Sequence, residues 1–221
     1  MGKLILVRHG QSLWNMQNKF TGWADIPLSE KGIKEALSAA KKIESISIDV
    51  AFTSKLVRAQ ETLFIILSKQ KKVGMFIHDN KKEKKWSLHP KELDKNEIPI
   101  YSSSKINERY YGKLQGLDKD AMRKKYGEKK VHIWRRSYDI PPPDGECLKD
   151  TCKRSIPYFT KEIMPHVKKG KNVIVAAHGN SLRGIIKHIE NISDEDIPNL
   201  ELPTGKPVIY NYSNGKLRKE K

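Results

Sequence analysis

Two features are scarce in this sequence: cysteine and long apolar runs. Only Cys147 and Cys152 occur among the 221 residues, which excludes a disulfide-rich scaffold, and no further Cys or nearby His pair completes a zinc site. Apolar runs such as residues 63–67 extend for about five residues, whereas a membrane-spanning helix needs about twenty. We therefore expect a reduced, cytoplasmic protein with no membrane partner.

Negative charge is also in short supply. The chain has 43 Lys and Arg residues against 26 Asp and Glu, which gives a formal net charge of +17. Such an excess suits a polyanionic partner: nucleic acid, an acidic membrane surface or phosphorylated small molecules. The length is sufficient for one large domain with its own core.

Buried strands alternate with amphipathic helices along the chain. The predicted strands are residues 4–7, 49–53, 173–177 and 208–212. The predicted helices are residues 29–43, residues 54 to about 69, and one that begins near Glu146. The first and third strands are continuous apolar runs, which are typical of parallel sheets. This alternation predicts an α/β fold with a mostly parallel sheet.

Residues 70–105 interrupt this alternation. Lysines cluster at residues 81–85, and Pro90 and Pro99 break any regular period. We interpret the segment as an excursion from the core of a single domain that spans residues 1–221.

Two of the predicted strands end in the same dipeptide. His9-Gly10 follows the first strand, and His178-Gly179 follows the strand at 173–177. Because ligands of open α/β sheets bind at the carboxyl ends of strands, both histidines should lie at one edge, where glycine lets backbone N–H groups approach an anion. The alternative is that both histidines only cap loops, and the matched pair favours a shared site.

Two arginines complete this predicted anion site. Arg8 precedes His9, and Arg58 follows a strand at the start of a helix. Guanidinium groups bind phosphate oxygens, a neutral imidazole can attack phosphorus, and a second imidazole, if protonated, stabilises the transferring group. Phosphoryl transfer through a phosphohistidine requires no metal, and no His or carboxylate cluster has the sequence spacing of metal ligands.

Longer motifs resemble one known family. They are residues 6–15 (LVRHGQSLWN), 20–23 (FTGW), 51–54 with Arg58, 107–112 (NERYYG), 114–117 (LQGL), 134–138 (WRRSY), 177–183 (AHGNSLR) and 202–205 (LPTG). In this order they resemble the signature of the cofactor-dependent phosphoglycerate mutases, within the histidine phosphatase superfamily. The likeness extends over nearly the whole chain.

The resemblance implies a three-layer α/β sandwich with a mostly parallel central sheet flanked by helices. It also implies interconversion of 3-phosphoglycerate and 2-phosphoglycerate, primed by 2,3-bisphosphoglycerate and without a metal. His9 would carry the phosphoryl group, His178 would stabilise it during transfer, and Glu108 would move a proton to and from the substrate hydroxyl. Near phosphate groups, we expect the pKa of Glu108 to be raised.

The same resemblance assigns the remaining binding residues. Phosphate and hydroxyl oxygens would be held by Arg8, Ser12, Asn15, Thr21, Gly22, Arg58, Gly179 and Asn180. The far end of the substrate, with its carboxylate, would be held by Tyr111, Lys119, Arg135 and Arg136.

Among the departures from the family pattern, two concern access to the predicted site. Residues 79–104 form a longer segment than in many members, and the sequence ends at Lys221 soon after the last predicted strand, which leaves little of a C-terminal lid. Because a lid excludes water from a phosphohistidine, we expect faster hydrolysis and more 2,3-bisphosphoglycerate phosphatase activity. The sequence leaves both a homodimer and a monomer open.

Three other functions remain as alternatives. A phosphomonoesterase or a bisphosphoglycerate synthase/phosphatase would share His9 and His178, although a general phosphatase would not need the distal cations. A nucleic-acid-binding protein would account for the charge of +17, but no helix-turn-helix or RNA-binding signature occurs. We expect small phosphorylated acids as partners and no specific nucleic acid.

Overall fold

A seven-stranded sheet forms the centre of the protein. The computed structural model describes residues 2–78 and 94–220. The strands are β1 (Lys3–Arg8), β2 (Val50–Thr53), β3 (Val73–Phe76), β4 (Glu97–Ser102), β5 (Val173–Ala177), β6 (Pro207–Ser213) and β7 (Lys216–Lys219). Their order across the sheet is β3-β4-β2-β5-β1-β6-β7.

Most of the sheet is parallel. The five strands from β3 to β1 run in the same direction, whereas β6 and β7 pair antiparallel at one edge. Side chains alternate between the two faces, so that Leu4 and Leu6 join one core cluster while Ile5 and Val7 join the other. Because both faces are covered, β1 is apolar along nearly its whole length, which explains the continuous run in the sequence.

Helices form a layer on each face. They are α1 (Leu13–Met16), α2 (Glu30–Lys42), α3 (Val57–Leu67), α4 (Lys119–Tyr126), α5 (Glu128–Arg136), α6 (Leu148–Tyr158), α7 (Met164–Lys168) and α8 (Gly179–Glu190). Helices α2 and α3 pack on one face through residues such as Ala40 and Leu63, and α7 and α8 pack on the other through Val167 and Ile185. The predicted three-layer α/β sandwich is confirmed. None of the helices in the described ranges is both long and apolar enough to cross a membrane.

The predicted excursion at residues 70–105 is corrected at both ends. Strands β3 and β4 lie within it and pair in parallel, and Ile98 and Ile100 of β4 are fully buried in the core. A Cβ on Gly74 would lie 2.7 Å from Ile100 Cδ1, so this glycine permits close packing of the two strands. The lysine cluster at 81–85 falls outside the described residues.

The register of β1 and β5 brings two chain segments together at one edge of the sheet. Arg8 at the end of β1 is paired with Ala177 at the end of β5, and the next residue, His9, donates its backbone N–H to Ala177 O at 2.9 Å. The two His-Gly dipeptides therefore leave the sheet side by side, as their positions after parallel strands predict.

Candidate active site

His9 lies in the loop that leaves β1, with its side chain almost fully buried. Its Nδ1 is 2.6 Å from Gly10 O, and because a carbonyl oxygen only accepts, Nδ1 carries the proton and Nε2 keeps its lone pair. Burial, together with the positive charges of Arg58 and Arg8, lowers the pKa of His9 well below its ordinary value. His9 therefore presents an unprotonated Nε2, as a nucleophile requires.

His178 lies next to His9 as the N-terminal cap of α8, with the two ring centroids 5.0 Å apart. Its Nε2 is 2.7 Å from Ser54 Oγ, and its buried Nδ1 has no hydrogen-bond partner among the described residues. Burial and the charge of Arg58 lower the pKa of His178 well below its ordinary value. In the ligand-free protein this shift favours a neutral imidazole over the protonated one considered from the sequence, and a neutral imidazole can still donate from Nδ1 when Ser54 donates to Nε2.

Arg58 is fully buried and joins His9 to the loop after α1. Its two terminal nitrogens donate to Ala24 O at 2.9 Å and Gly22 O at 2.7 Å, and its Nε lies 3.4 Å from His9 Nε2. Burial lowers the pKa of Arg58 to about 10, so the guanidinium remains charged at neutral pH. The residue therefore places a fixed positive charge beside the nucleophile.

Arg8 provides a second cation with an unused donor. Its NH1 donates to Leu202 O at 2.8 Å, whereas its buried Nε has no partner in the described structure. A Cβ on Gly179 would lie 3.5 Å from that Nε and 3.7 Å from Glu108 Oε2. Gly179 therefore keeps open the space between Arg8 and Glu108, and an anion bound there would satisfy the donor.

Glu108 is buried, and its carboxylate receives several hydrogen bonds. Oε1 accepts from the backbone N–H of Arg109 at 2.7 Å, and from the side-chain and backbone nitrogens of Asn180 at 2.8 and 3.2 Å. Burial raises the pKa of Glu108, but these bonds and the charges of Arg8 and Arg58 outweigh it, so the net shift is downward. The raised pKa expected from the sequence is corrected for the ligand-free protein. Bound phosphate would add negative charge and move the pKa upward.

The backbone of Glu108 is held by Arg154 of α6. One terminal nitrogen of this arginine donates to Glu108 O at 2.8 Å, and the other donates to Asn107 O and Lys105 O, each at 3.0 Å. Glu146 orients the guanidinium by accepting from Arg154 Nε at 3.0 Å and NH2 at 2.8 Å. No sequence motif marked Arg154 or Glu146 as functional, and neither residue lines the cavity.

A second group of cations, the distal cations, lines the same cavity. Lys119 begins α4, and Arg135 and Arg136 end α5. Burial and the charges of Arg135 and Arg8 lower the pKa of Lys119 to about 8. Tyr111 is held in place by Arg109, which stacks on its ring at 4.8 Å and donates to its hydroxyl at 3.2 Å.

The family model of the histidine phosphatase superfamily (branch 1) matches residues 4–88 and 91–221. The chain belongs to this superfamily. The match includes both His-Gly dipeptides and all of the elements that surround them.

Three curated relatives illustrate where the chain falls within the histidine phosphatase superfamily. A protein of Methanosarcina acetivorans is 53% identical over 237 residues, which cover 100% of this chain and 95% of the relative. Proteins of Chlamydia pneumoniae and Protochlamydia amoebophila are each 49% identical, with 99% and 100% of this chain and 97% and 99% of the relative covered. All three are named 2,3-bisphosphoglycerate-dependent phosphoglycerate mutase.

Solved structures of proteins with low sequence identity share the fold. Bacillus stearothermophilus YhfR superposes with a TM-score of 0.77 at 22% identity, covering 99% of this chain and 95% of that one. A mycobacterial glucosyl-3-phosphoglycerate phosphatase solved with VO3 gives 0.76 at 20% identity, covering 100% and 98%. At these identities the likeness concerns the fold alone.

The cavity of this member of the histidine phosphatase superfamily brings together thirteen of the fifteen predicted site residues. Its lining consists of Arg8, His9, Asn15, Lys19, Phe20, Thr21, Gly22, Arg58, Glu108, Tyr111, Lys119, Arg135, Arg136, Gly179, Asn180, Arg183, Glu201 and Leu202. The two exceptions are His178, which contacts His9, and Ser12, which is buried and caps α1 by accepting from Asn15 N at 3.2 Å. The individual roles of these residues remain predictions.

Five lining residues were not predicted: Lys19, Phe20, Arg183, Glu201 and Leu202. Phe20, Arg183 and Leu202 lie within motifs named in the sequence analysis, and membership of those motifs was the available signal. Leu202 contributes through its backbone oxygen, which any residue type would supply. Glu201 carried no signal, since an isolated acidic residue in a loop is ordinarily a solvated one.

Three of the buried side chains are of types that can bind a metal ion. One potential ligand atom from each of His9, Glu108 and His178 lies within 4.8 Å of the others. The sequence showed no such cluster, since the three residues are far apart along the chain. Arg8 and Arg58 place two positive charges beside the same atoms, and this repels a cation. The local charge favours an anion.

Proposed function

We propose that this protein is a 2,3-bisphosphoglycerate-dependent phosphoglycerate mutase that interconverts 3-phosphoglycerate and 2-phosphoglycerate. The observation that carries the proposal is that one cavity combines an unprotonated His9 Nε2 with the distal cations Lys119, Arg135 and Arg136. Relatives of that name, 46–53% identical over 95–100% of the chain, support it. A general phosphatase would need the nucleophile but not the distal cations.

The first chemical step transfers a phosphoryl group from His9 to the substrate. In the phosphoenzyme, the C2 hydroxyl oxygen of 3-phosphoglycerate attacks phosphorus, the Nε2–P bond of His9 breaks, and the Glu108 carboxylate takes the hydroxyl proton. The product is 2,3-bisphosphoglycerate, with neutral His9. The ionised state of Glu108 in the ligand-free protein suits a base, and the arriving phosphate raises its proton affinity.

The second step transfers the other phosphoryl group of the same molecule, the one on O3, to His9. After the bisphosphate reorients, His9 Nε2 attacks the phosphorus on O3, the P–O3 bond breaks, and protonated Glu108 returns its proton to O3. This releases 2-phosphoglycerate and restores the phosphoenzyme. Free 2,3-bisphosphoglycerate primes an unphosphorylated enzyme by the same step, so a single histidine serves both directions.

The positive groups stabilise the phosphoryl group during both steps. Arg58 and Arg8 lie beside His9, and the unpartnered Nδ1 of His178 becomes an additional donor when Ser54 donates to its Nε2. The metaphosphate-like group carries negative charge on three oxygens, and fixed donors that need no rearrangement lower the barrier. We propose that these residues, and no metal, supply the electrostatic stabilisation.

The distal cations select the acid. A phosphoglycerate has a carboxylate at one end, and Lys119, Arg135 and Arg136 provide the positive charge that would bind it. Binding this end also fixes the distance of the hydroxyl from His9, which is how remote binding contributes to turnover.

We also infer a cytoplasmic location. Cys147 and Cys152 are both free and buried, which suits a reducing compartment, and the proposed substrates are intracellular metabolites by their phosphorylation.

A coupled assay for conversion of 3-phosphoglycerate to 2-phosphoglycerate tests the proposal. Wild-type protein should require 2,3-bisphosphoglycerate for full activity, and His9→Ala should lose activity by at least about 10³-fold. The matched control is His132→Ala, which removes an exposed histidine on α5 outside the cavity lining. Activity that survives His9→Ala, or that ignores the primer, would contradict the proposal.

A further inference from the structure

The charges that line the active-site cavity are strongly unbalanced. Seven lysines and arginines face it, against two described carboxylates, Glu108 and Glu201. Glu108 is bound to Asn180 and to the backbone of Arg109, and the proposed reaction uses it. Glu201 has no part in that reaction. A carboxylate in an anion-binding cavity opposes its ligand, so its presence calls for a physical reason.

The backbone around Glu201 is tied to the site from both sides. Leu200 O accepts from Arg183 Nε at 3.0 Å, and Leu202 O accepts from Arg8 NH1 at 2.8 Å. Both arginines line the cavity. The position of Glu201 is therefore set by two arginines that line the cavity, and its side chain lies in the cavity wall.

The carboxylate of Glu201 forms an ion pair with one of the distal cations. Its Oε1 lies 2.6 Å from Arg136 NH2, which is the distance of a charge-assisted hydrogen bond. The Glu201 side chain is 67% exposed, whereas that of Arg136 is 23% exposed. Glu201 can therefore swing into solvent, while Arg136 stays in the wall.

We propose that Glu201 is a specificity-determining residue that sets the relative affinity for bisphosphorylated and monophosphorylated acids. The inference rests on the proposed function for the identity of the two ligands. In the free protein the Glu201 carboxylate is paired with the Arg136 guanidinium, where it takes the place of a ligand anion. A ligand carboxylate or phosphate must displace it, and the displaced charge remains near the mouth of the cavity.

The effect grows with the charge of the ligand. Each phosphate carries about −1.5 to −2 at neutral pH, so 2,3-bisphosphoglycerate is more negative than 3-phosphoglycerate by nearly two charges. Repulsion from Glu201 is proportional to ligand charge, and therefore weakens the bisphosphate more. In a mutase this bisphosphate is both primer and intermediate, and it must reorient without being trapped.

Binding measurements on neutralised and shortened variants test this role. Titration calorimetry would give Kd for 2,3-bisphosphoglycerate and 3-phosphoglycerate in Glu201→Gln and Glu201→Asp, all in a His9→Asn background to prevent turnover. Glu201→Gln should tighten the bisphosphate about tenfold and the monophosphate about threefold, a difference that shrinks as salt rises. Glu201→Asp keeps the charge and should retain the wild-type ratio of the two Kd values.

The control is Glu44→Gln, which removes the same charge from an exposed position after α2. Thermal midpoints of all variants should agree, since the Glu201 side chain is mostly exposed. An unchanged ratio in Glu201→Gln, or an equal change in Glu201→Asp or Glu44→Gln, would overturn the proposal.

If the proposed function is wrong, the experiments give a different set of results. In that case wild-type protein would show no mutase activity and neither phosphoglycerate would bind. Tripolyphosphate and inorganic phosphate, which are not substrates of the proposed reaction, would still compare a highly charged anion with a less charged one. Glu201→Gln should raise the affinity for tripolyphosphate more than the affinity for phosphate. An unchanged ratio of the two affinities would reject the role of Glu201, whatever the outcome for the proposed function.

Discussion

Arg154 donates a 2.8 Å hydrogen bond to the main-chain oxygen of Glu108, from a helix that contributes no residue to the cavity lining. The same guanidinium donates to three further main-chain oxygens, those of Ser104, Lys105 and Asn107, and is oriented by Glu146. Trp23 Nε1 also donates to Glu108 O, and Arg154 stacks over the Trp23 ring at 5.5 Å. The proposed proton carrier is thus positioned through its backbone.

Replacement of Arg154 should reduce turnover more than substrate binding. A lysine cannot reproduce several donors in one plane, so Arg154→Lys should release the loop that carries Glu108 and lower kcat by about 10- to 100-fold, with KM changed much less. The acid limb of the kcat profile should move to higher pH, because Glu108 loses the hydrogen bonds that lower its pKa.

The neighbouring variant Lys153→Met provides the control for Arg154→Lys, since Lys153 lies on the same helix, is exposed and pairs only with Asp150 in the described contacts. Equal losses in the two variants, or a change in KM alone, would show that Arg154 acts only through stability.

Removal of the Glu108 carboxylate should suppress proton transfer. Glu108→Gln keeps the size of the side chain but can neither accept nor return a proton, so kcat should fall by about 10²- to 10⁴-fold. The measurement is single-turnover transfer from phosphorylated His9 to 3-phosphoglycerate. Glu128→Gln, an exposed change at the start of α5, serves as the control. A rate within a few-fold of wild type would assign the proton to another group.

Lys119 should give the reaction an alkaline limit. Its pKa is lowered to about 8, so the ammonium is charged below that pH and neutral above it. Binding of the substrate carboxylate should therefore weaken as pH rises through about 8, and kcat/KM should fall by up to about tenfold per pH unit. Bound carboxylate raises the pKa of Lys119, so kcat should change less. Lys119→Arg should abolish the limit, and its persistence would locate the titrating group elsewhere.

Two glycines of α8 should separate binding from stability. A Cβ at Gly179 meets only ordinary contacts, so Gly179→Ala should fold normally, but its methyl group would fill the space between Arg8 and Glu108 and raise KM by about tenfold or more. A Cβ at Gly184 would lie 2.9 Å from Cys152 Sγ, away from the cavity lining, so Gly184→Ala should lower the thermal midpoint and leave KM unchanged. Assay and thermal denaturation of both variants would check this, and the reverse pattern would contradict it.

The central strands and the paired histidines were predictable because they depend on short local patterns. Strands β1 and β5 are continuous apolar runs, and each ends in His-Gly, so parallel pairing alone brings His9 and His178 to one edge. Strands β3, β4 and β7 were missed. Strands β3 and β7 lie at edges of the sheet, where side chains are partly exposed and apolar periodicity is weak. Strand β4 lies inside the sheet with Ile98 and Ile100 fully buried, but Pro99 between them made a strand there look improbable.

By itself, the amino-acid sequence determined the fold class, the location of the anion site at the carboxyl ends of the strands, and most of the residues that line it. The tertiary structure alone decided how those residues behave. Glu108 is held ionised by donors from Asn180, 72 positions away, Arg154 binds its backbone, and Glu201 pairs with Arg136 in the cavity wall. Charge states depend on burial and on distances of a few ångströms, and these follow from packing between segments that no local pattern connects.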